Sequence, residues 1–562
     1  MLSDRQEKGF QRRLFLLCAT LLSFTLILVW RLFYWQVLPH EELPRGGAQQ
    51  EGEIAPMRGM VLDREGHFLI LNSCKCEVSA APNQMDDPEE VARALESPLG
   101  EPWQEIWEVI RDREKRYVRL APLVSAQAGE AISNLGLPGI TVEPKPQRIY
   151  PLGEVAGHLF GFVNLEGKAY YGLEEFHDEL LRGRPGIGGR ATIVGRHCFV
   201  PPRDGLDLVL TLDRNIQYRV EEELERAIQR YGATGGTILV VEPGNGAILA
   251  MANRPSYNPN DFATTPQEVY VNPAISHQYE PGSVLKIITM AAGLEAGVIT
   301  RESTYYDEGR ITIQGQPIED WDREAHGWTT MTEVLQHSLN LGAVHVANQL
   351  GAERLYEALR RFGFGQPTGV DLAGEVAGMV RTPEDATWSE LDLATNAFGQ
   401  GIAATPLQVI AAVAAVANGG VWELPHVVDH AVAPDGAVIP IQRPAGRRVV
   451  SPQTVEVLTQ MLVEAVEKGM EPAMVDGVPV AGKTGTAQIP DLERGGYEPK
   501  ATIASFVGYA PADEPRFVVL VKIDRPKVPR GLEAAAPVFQ AVAEWLLAYM
   551  EVPHYDAGLA SR

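Results

Sequence analysis

Cysteine is scarce in this chain: four in 562 residues, at positions 18, 74, 76 and 198. That excludes a disulfide scaffold, and no pair has the spacing of a zinc site. Cys74 and Cys76 would share one face of a strand as ordinary packing residues, not as a strained bridge. Positive charge is also short, with 49 Lys+Arg against 73 Asp+Glu and a net charge of −24. Such a balance argues against a nucleic-acid partner and suits a solvated surface. Long apolar runs are missing everywhere but near the N-terminus. There, residues 14–30 carry no charge, and the run resumes after Arg31 to position 38. With Arg31 snorkelling and Trp30, Tyr34 and Trp35 at the interface, this stretch can span a bilayer. Arg5, Lys8, Arg12 and Arg13 precede it, which places residues 1–13 in the cytoplasm and the bulk of the chain outside. No A-x-A-like cleavage site follows, so a retained single-pass anchor in the cytoplasmic membrane is expected, not a signal peptide.

The length calls for two or three domains. From 39 to about 205 the chain reads as a mostly β segment with charged helical patches at 89–95 and 103–114 and a strand at 60–62. Its lone His158 has no second ligand spaced beside it and reads as structural. From 206 to 552 the character changes, and residues 553–562 form a tail. A strand at 208–212 and an amphipathic helix at 216–231 lead to a hairpin of two apolar runs, 237–242 and 247–252. The stretch from 283 to about 420 reads mainly as helix and loop. Three more strands follow at 478–488, 504–509 and 517–524, then a closing helix at 537–550. Two strands early, helices between and three strands late predict an α/β (α+β) domain, with an antiparallel five-stranded sheet covered by helices on both faces.

Within that domain, Tyr279-Glu-Pro-Gly-Ser-Val-Leu-Lys286 opens an apolar helix predicted to begin near Ser283. Ser283 and Lys286 lie one turn apart, so a desolvated lysine could take the serine proton. Alone, an S-x-x-K tetrad is better read as an N-cap and a snorkelling lysine. Two further motifs follow in order: Ser338-Leu-Asn340, and Lys483-Thr-Gly485. The ordered trio is far more specific than any member, and acyl transfer needs what it supplies. Ser338 could relay a proton to a leaving amine and Asn340 could hold a substrate amide. Lys483 adds positive charge, while Thr484, Gly485 and Thr486 line a strand edge able to grip a carboxylate or amide. Residues 477–484 also satisfy the phosphate-loop pattern, which asks for a strand before and a helix after. Neither is predicted here, and Pro479 has no N–H to offer a phosphate.

These motifs, with Arg58-Gly-Met-Val-Leu-Asp-Arg-Glu-Gly66, Arg148-Ile-Tyr-Pro-Leu-Gly153, Gly172-Leu-Glu174 and Phe398-Gly-Gln-Gly-Ile-Ala-Ala-Thr-Pro-Leu-Gln408, resemble the class B penicillin-binding proteins over nearly the whole chain. The resemblance implies the transpeptidase fold shared with serine β-lactamases, behind a pedestal or dimerisation domain at 39–205. It further implies that Ser283 is acylated by the D-Ala-D-Ala end of a peptidoglycan stem peptide with Lys286 as general base. The backbone N–H groups of Ser283 and Thr486 would form the oxyanion hole, and β-lactams would acylate the same serine. It implies no cofactor and no metal. The expected partner is a polytopic glycan polymerase of the SEDS shape-and-division class, with other wall-synthesis proteins. Ser338-Leu-Asn-Leu-Gly-Ala343, Val163-Asn-Leu-Glu-Gly167 and Ala535-Ala-Pro-Val-Phe539 lean toward the septal branch over the elongation branch. Leu339, where a second serine is common, and Arg530-Gly-Leu-Glu533 depart from the pattern. A serine β-lactamase stays open as a second enzyme class, with Glu375 as its candidate deacylating base, and a scaffold or penicillin sensor as a non-enzymatic third.

Overall fold

Alternation of side chains along one strand explains the architecture of the C-terminal half. In the computed structural model, which describes residues 25, 52–193, 196–491 and 493–553, a would-be Cβ on Gly508 meets the Phe539 ring at 3.1 Å, whereas the next residue, Tyr509, bonds the Thr459 hydroxyl at 2.7 Å. Successive residues point to opposite faces, so helices cover both. The longer helices and the sheet strands in this half, in chain order, are α1 (Arg214–Tyr231), β1 (Gly235–Val241), β2 (Ile248–Arg254), α2 (Lys286–Glu295), α3 (Asn340–Arg361), α4 (Pro406–Ala417), α5 (Pro452–Gly469), β3 (Ala481–Pro490), β4 (Tyr497–Ala510), β5 (Phe517–Asp524) and α6 (Ala536–Tyr549). The five strands form one antiparallel sheet in the order β2-β1-β5-β4-β3. All seven residues of β1 are buried, as its uninterrupted apolar run predicts. α1 starts where Asp213 accepts the N–H groups of Asn215 and Ile216, and stops at Gly232 in the left-handed region.

Several boundaries moved for local reasons. β3 begins at Ala481, not 478, because Val478 N–H is spent in a turn onto Val475 and Pro479 has none. Lys483 and Thr484 therefore sit inside a strand with no helix after them, which removes the phosphate-loop reading. β4 starts at Tyr497, seven residues earlier than expected, through a polar and exposed stretch that carries no apolar alternation. The helix expected at 103–114 ends at Ile110, before the charged run 111–114. The middle stretch, expected as helix and loop, also holds two short hairpins, Thr304–Asp307 with Gly327–Thr330 and Arg310–Ile313 with Gln316–Glu319.

Residues 52–55 and 185–202 form one unit, a three-stranded antiparallel sheet of Gly52–Ile54, Gly186–Ile193 and Arg196–Val200. In the other unit, Phe68–Ala80 pairs with Val118–Ser125 and Ile140–Ile149, and Pro88–Leu99 and Trp103–Ile110 pack a second apolar cluster around Val78, Leu95 and Ile106. Asp87 caps the first of those helices through the N–H groups of Glu89 and Glu90. The strand expected at 208–212 is Asp207–Leu210. It lies parallel to Val61–Leu62 and antiparallel to Val428–Val432, joining residues far apart in the chain into one seven-stranded sheet.

Three of the N-terminal sequence motifs meet in a buried ion network. Glu174, fully buried, takes Arg148 Nε at 2.6 Å and Arg58 at 2.6 Å, and Arg58 also reaches Asp178 at 2.6 Å. His158 is buried, with Nε2 2.8 Å from the Val269 carbonyl and its ring edge-on to Tyr257. Burial drives its pKa down to about 4, so it is a neutral structural histidine. Cys74 and Cys76 are both free thiols. No helix among the described residues is long and apolar enough to cross a membrane, and the expected anchor at 14–38 lies, Thr25 apart, outside them.

Candidate active site

The serine and lysine of the first motif are held by a single tight turn. Tyr279 exchanges two backbone hydrogen bonds with Ala404, and Gly282 N–H donates to the Gly399 carbonyl at 3.0 Å, which fixes the entry. Residues Gly282–Leu285 then form one 3₁₀ turn, so the α-helix starts at Lys286, three residues later than expected. α2 is apolar and buried all round, the pattern of a helix inside a core. Lys286 has no exposed surface, and its amine reaches four oxygens: Ser283 Oγ at 3.1 Å, Ser338 O at 2.6 Å, Asn340 Oδ1 at 2.9 Å and Ser338 Oγ at 3.4 Å.

That inventory has a chemical consequence. A neutral amine has two hydrogens and one lone pair. The Ser338 carbonyl and Asn340 Oδ1 only accept, so they take the two hydrogens and leave the lone pair for the Ser283 hydroxyl. The Asn340 amide cannot flip, because its Nδ2 donates to the Glu319 carbonyl at 2.9 Å. Ser338 presents its carbonyl by adopting φ of +57°, a left-handed conformation that costs energy for a residue with a Cβ. Leu339 between them is fully buried, so hydrocarbon fits at the position where a serine is common in the family it resembles.

Burial first, and the charge of Lys483 second, hold the Lys286 pKa well below that of an ordinary lysine, with Asp320 opposing them. Lys483 is itself fully buried, and burial brings it to about 7. Its amine bonds Thr484 Oγ1 at 3.2 Å and the Thr484 carbonyl at 3.3 Å; no direct bond links it to Ser283 or Ser338. Thr484 is half-buried and Thr486 exposed along β3, the edge strand. Thr486 Oγ1 accepts the Gly531 N–H at 3.1 Å, so the glycine of the unusual 530–533 stretch still braces the strand.

Gly485 is where β3 presses on the serine turn. A Cβ there would lie 2.3 Å from Ser505 Oγ, 2.9 Å from Val284 Cγ2 and 3.1 Å from the Pro281 carbonyl. Gly485→Ala should push β3 off the 281–284 turn, lowering stability by about 1–3 kcal/mol and penicillin acylation by on the order of 10²-fold. Thermal unfolding and stopped-flow labelling check it; an unchanged acylation rate would mean that the close approach is incidental.

Glu375, the possible deacylating base, is tied elsewhere. Its oxygens take the Thr368 N–H at 2.6 Å, the Thr368 hydroxyl at 2.5 Å and the Gly369 N–H at 2.9 Å, closing a loop. The residue overlooked in the sequence is Asp320, whose Oδ1 receives the Asn340 N–H and, at 3.2 Å, the Leu341 N–H at the start of α3. No spacing marks it: it lies 20 residues before Asn340 and meets the start of α3 only in the fold.

The chain has relatives among known proteins along most of its length. Residues 236–544 match the penicillin binding protein transpeptidase domain, and residues 53–192 the penicillin-binding protein dimerisation domain. The stage V sporulation protein D of Bacillus subtilis is 34% identical over 548 residues, covering 94% of this chain and 84% of that protein. The peptidoglycan D,D-transpeptidase FtsI of Escherichia coli K12 is 31% identical over 562 residues, covering 96% and 92%. The crystal structure of penicillin binding protein 3 from Mycobacterium tuberculosis in complex with aztreonam superposes with a TM-score of 0.71 at 30% identity, covering 90% of this chain and 98% of that one. Two matched domains and relatives aligned along almost their full length place this chain among the class B penicillin-binding proteins, the D,D-transpeptidases of peptidoglycan synthesis.

Proposed function

We propose that the chain crosslinks peptidoglycan stem peptides through an acyl-enzyme on Ser283, in septal wall synthesis, held to the membrane by residues 14–38. The observation that carries this reading is the buried Lys286 amine, 2.6 Å and 2.9 Å from two oxygens that can only accept and 3.1 Å from Ser283 Oγ. Ser283 attacks the carbonyl of the penultimate D-Ala while its proton passes to Lys286 Nζ. The backbone N–H groups of Ser283 and Thr486 stabilise the oxyanion as it forms. Collapse expels D-alanine, whose amine takes the proton by way of Lys286 and the Ser338 hydroxyl, 3.4 Å apart. An acceptor amine of a second stem peptide then enters, loses its proton along the same path and releases the serine. Lys483 and Thr484 bind the terminal carboxylate, with Gly485 and Thr486 supplying strand edge and Asn340 the amide contact. Residues 39–205 act as the pedestal, and 206–552 as the catalytic domain.

The septal assignment is supported by the likeness to FtsI of E. coli, a peptidoglycan D,D-transpeptidase, and to the stage V sporulation protein D of B. subtilis. A SEDS-class glycan polymerase supplying nascent strands is the partner this role requires. β-Lactams enter as analogues of the acyl donor. Mass spectrometry of the intact protein after penicillin should show one adduct, mapped to the peptide containing Ser283 and lasting hours. Loss of the adduct within seconds would make the chain a β-lactamase instead, a result at odds with the closed carboxylate contacts of Glu375.

A further inference from the structure

Behind the Ser338–Asn340 turn lie two buried carboxyl groups that the reaction does not use. Asp307 ends the strand Thr304–Asp307 and has no exposed surface; Asp320 follows the strand Gln316–Glu319 and is 2% exposed. Asp307 Oδ1 accepts the Gly309 N–H at 2.7 Å, and its Oδ2 accepts the Tyr305 hydroxyl. Asp320 spends Oδ1 on the N–H groups of Asn340 and Leu341. Its other oxygen, Oδ2, is buried with no donor aimed at it. The Asp320 N–H donates to the Gly309 carbonyl at 3.4 Å, and the Gly309 N–H to Asp307, so one glycine holds the two acidic residues side by side.

Two carboxylates side by side and out of water repel strongly unless a cation or a proton lies between them. No cationic side chain pairs with either among the described residues. Arg310 and Arg323, on the same hairpin, turn to Glu319 at 3.5 Å and 3.3 Å. The donor count leaves one vacancy, at Asp320 Oδ2, and a proton shared between that oxygen and Asp307 fills it, leaving part of the negative charge on each residue. We propose that Asp307 and Asp320 share one proton, and that where the remaining negative charge resides in the pair biases the protonation of Lys286.

The route from the pair to the base is short. Asp320 holds the backbone N–H of Asn340, and the side chain of the same Asn340 takes a hydrogen from Lys286 at 2.9 Å. Negative charge on Asp320 favours the ammonium form of Lys286, against burial and Lys483. Burial and Asp307 bring Asp320 itself up to about 6, in the range where a shared proton matters. The other ionisable groups around the pair are Tyr305, raised by burial and by Asp307, and His345, stacked 5.4 Å from the Tyr305 ring and lowered by burial. Burial disfavours the charged form of each, and Glu319 is balanced by its two arginines. Asp320 and Asp307 are thus positioning residues, acting on the reaction through Asn340 and Lys286.

This inference rests on Lys286 acting as the base, and two isosteric variants separate the ideas. Each variant keeps one carboxyl and so one negative charge, but in a different place. Asp320→Asn leaves it on Asp307, away from Asn340; Asp307→Asn pins it on Asp320. Penicillin acylation rate against pH should show the acid limb moving to lower pH in Asp320→Asn and to higher pH in Asp307→Asn, each by about half a unit or more. Shifts in the same direction, or slower acylation with unmoved limbs, would overturn the shared proton. Should either variant not fold, wild-type protein at mildly acidic pH must still show the infrared band of a buried protonated carboxyl, and its absence sinks the proposal. The base assignment fails separately, if Lys286→Met continues to acylate.

Discussion

Ser283→Ala should lose penicillin labelling and peptidoglycan crosslinking by on the order of 10⁴-fold or more, since no other nucleophile lies at the lone pair of Lys286. Ser338 is the nearest alternative hydroxyl, but its Oγ is 3.4 Å from the amine and its carbonyl already holds one amine hydrogen. Folding should hardly change. Ser283 is half-buried, its one side-chain hydrogen bond is to Lys286, and the 3₁₀ turn is fixed by backbone contacts to residues 399 and 404. A hydrogen bond of that kind is worth about 1 kcal/mol, a shift of a few degrees at most in unfolding temperature for so large a domain. Gel labelling with fluorescent penicillin and calorimetry on the same sample read both quantities. Crosslinking that persisted in the variant would remove the acyl-enzyme mechanism.

Lys286→Met should be the second large effect, and it should act on activity and on the pH dependence of stability at once. Loss of a positioned base costs about 10²–10⁴-fold in acylation. For stability the sign follows from the protons. The folded-state pKa lies well below 10.5, so between it and 10.5 the unfolded chain binds the proton that the folded chain refuses. Wild-type stability therefore falls as pH drops through that window, and the penalty is complete below the folded pKa. Methionine carries no such penalty, so the variant gains on wild type as pH is lowered from 10.5. The offset at any one pH also contains the cost of leaving the Ser338 carbonyl and Asn340 Oδ1 without a donor, about 1–3 kcal/mol each. Hence the slope, not the absolute value, is the test. Parallel curves for the two proteins across the alkaline range would show that Lys286 is charged in the folded state.

Most of the candidate site was legible because its parts are short motifs whose order survives in the chain. Ser283, Lys286, Ser338 and Asn340 are brought within hydrogen-bond reach of one amine, while Lys483 stands off and acts through its charge. The strands of the catalytic sheet were legible where apolar runs are continuous, as in β1 and β5. They were not where pairing is carried by backbone alone, as in the polar first half of β4. Asp307 and Asp320 gave no sign because nothing local distinguishes them from surface acids; thirteen positions separate them, and only the folding back of two hairpins makes them neighbours. The role of Arg58, Arg148 and Glu174 was equally hidden, since an ion network has no spacing rule. Removing one member of such a buried set should cost about 3–5 kcal/mol.

The strand Asp207–Leu210 also bears on how the protein is made. It is flanked by Val61–Leu62 on one side and by Val428–Val432 on the other, and Val438–Pro440 completes that edge. During synthesis the chain grows from its N-terminus, so this sheet has an open rim until more than two hundred further residues have emerged. A nascent chain halted anywhere in between offers unpaired backbone groups to its neighbours. The region made first is thus among the last to be closed, and its sheet is whole only after residues 428–440 have emerged.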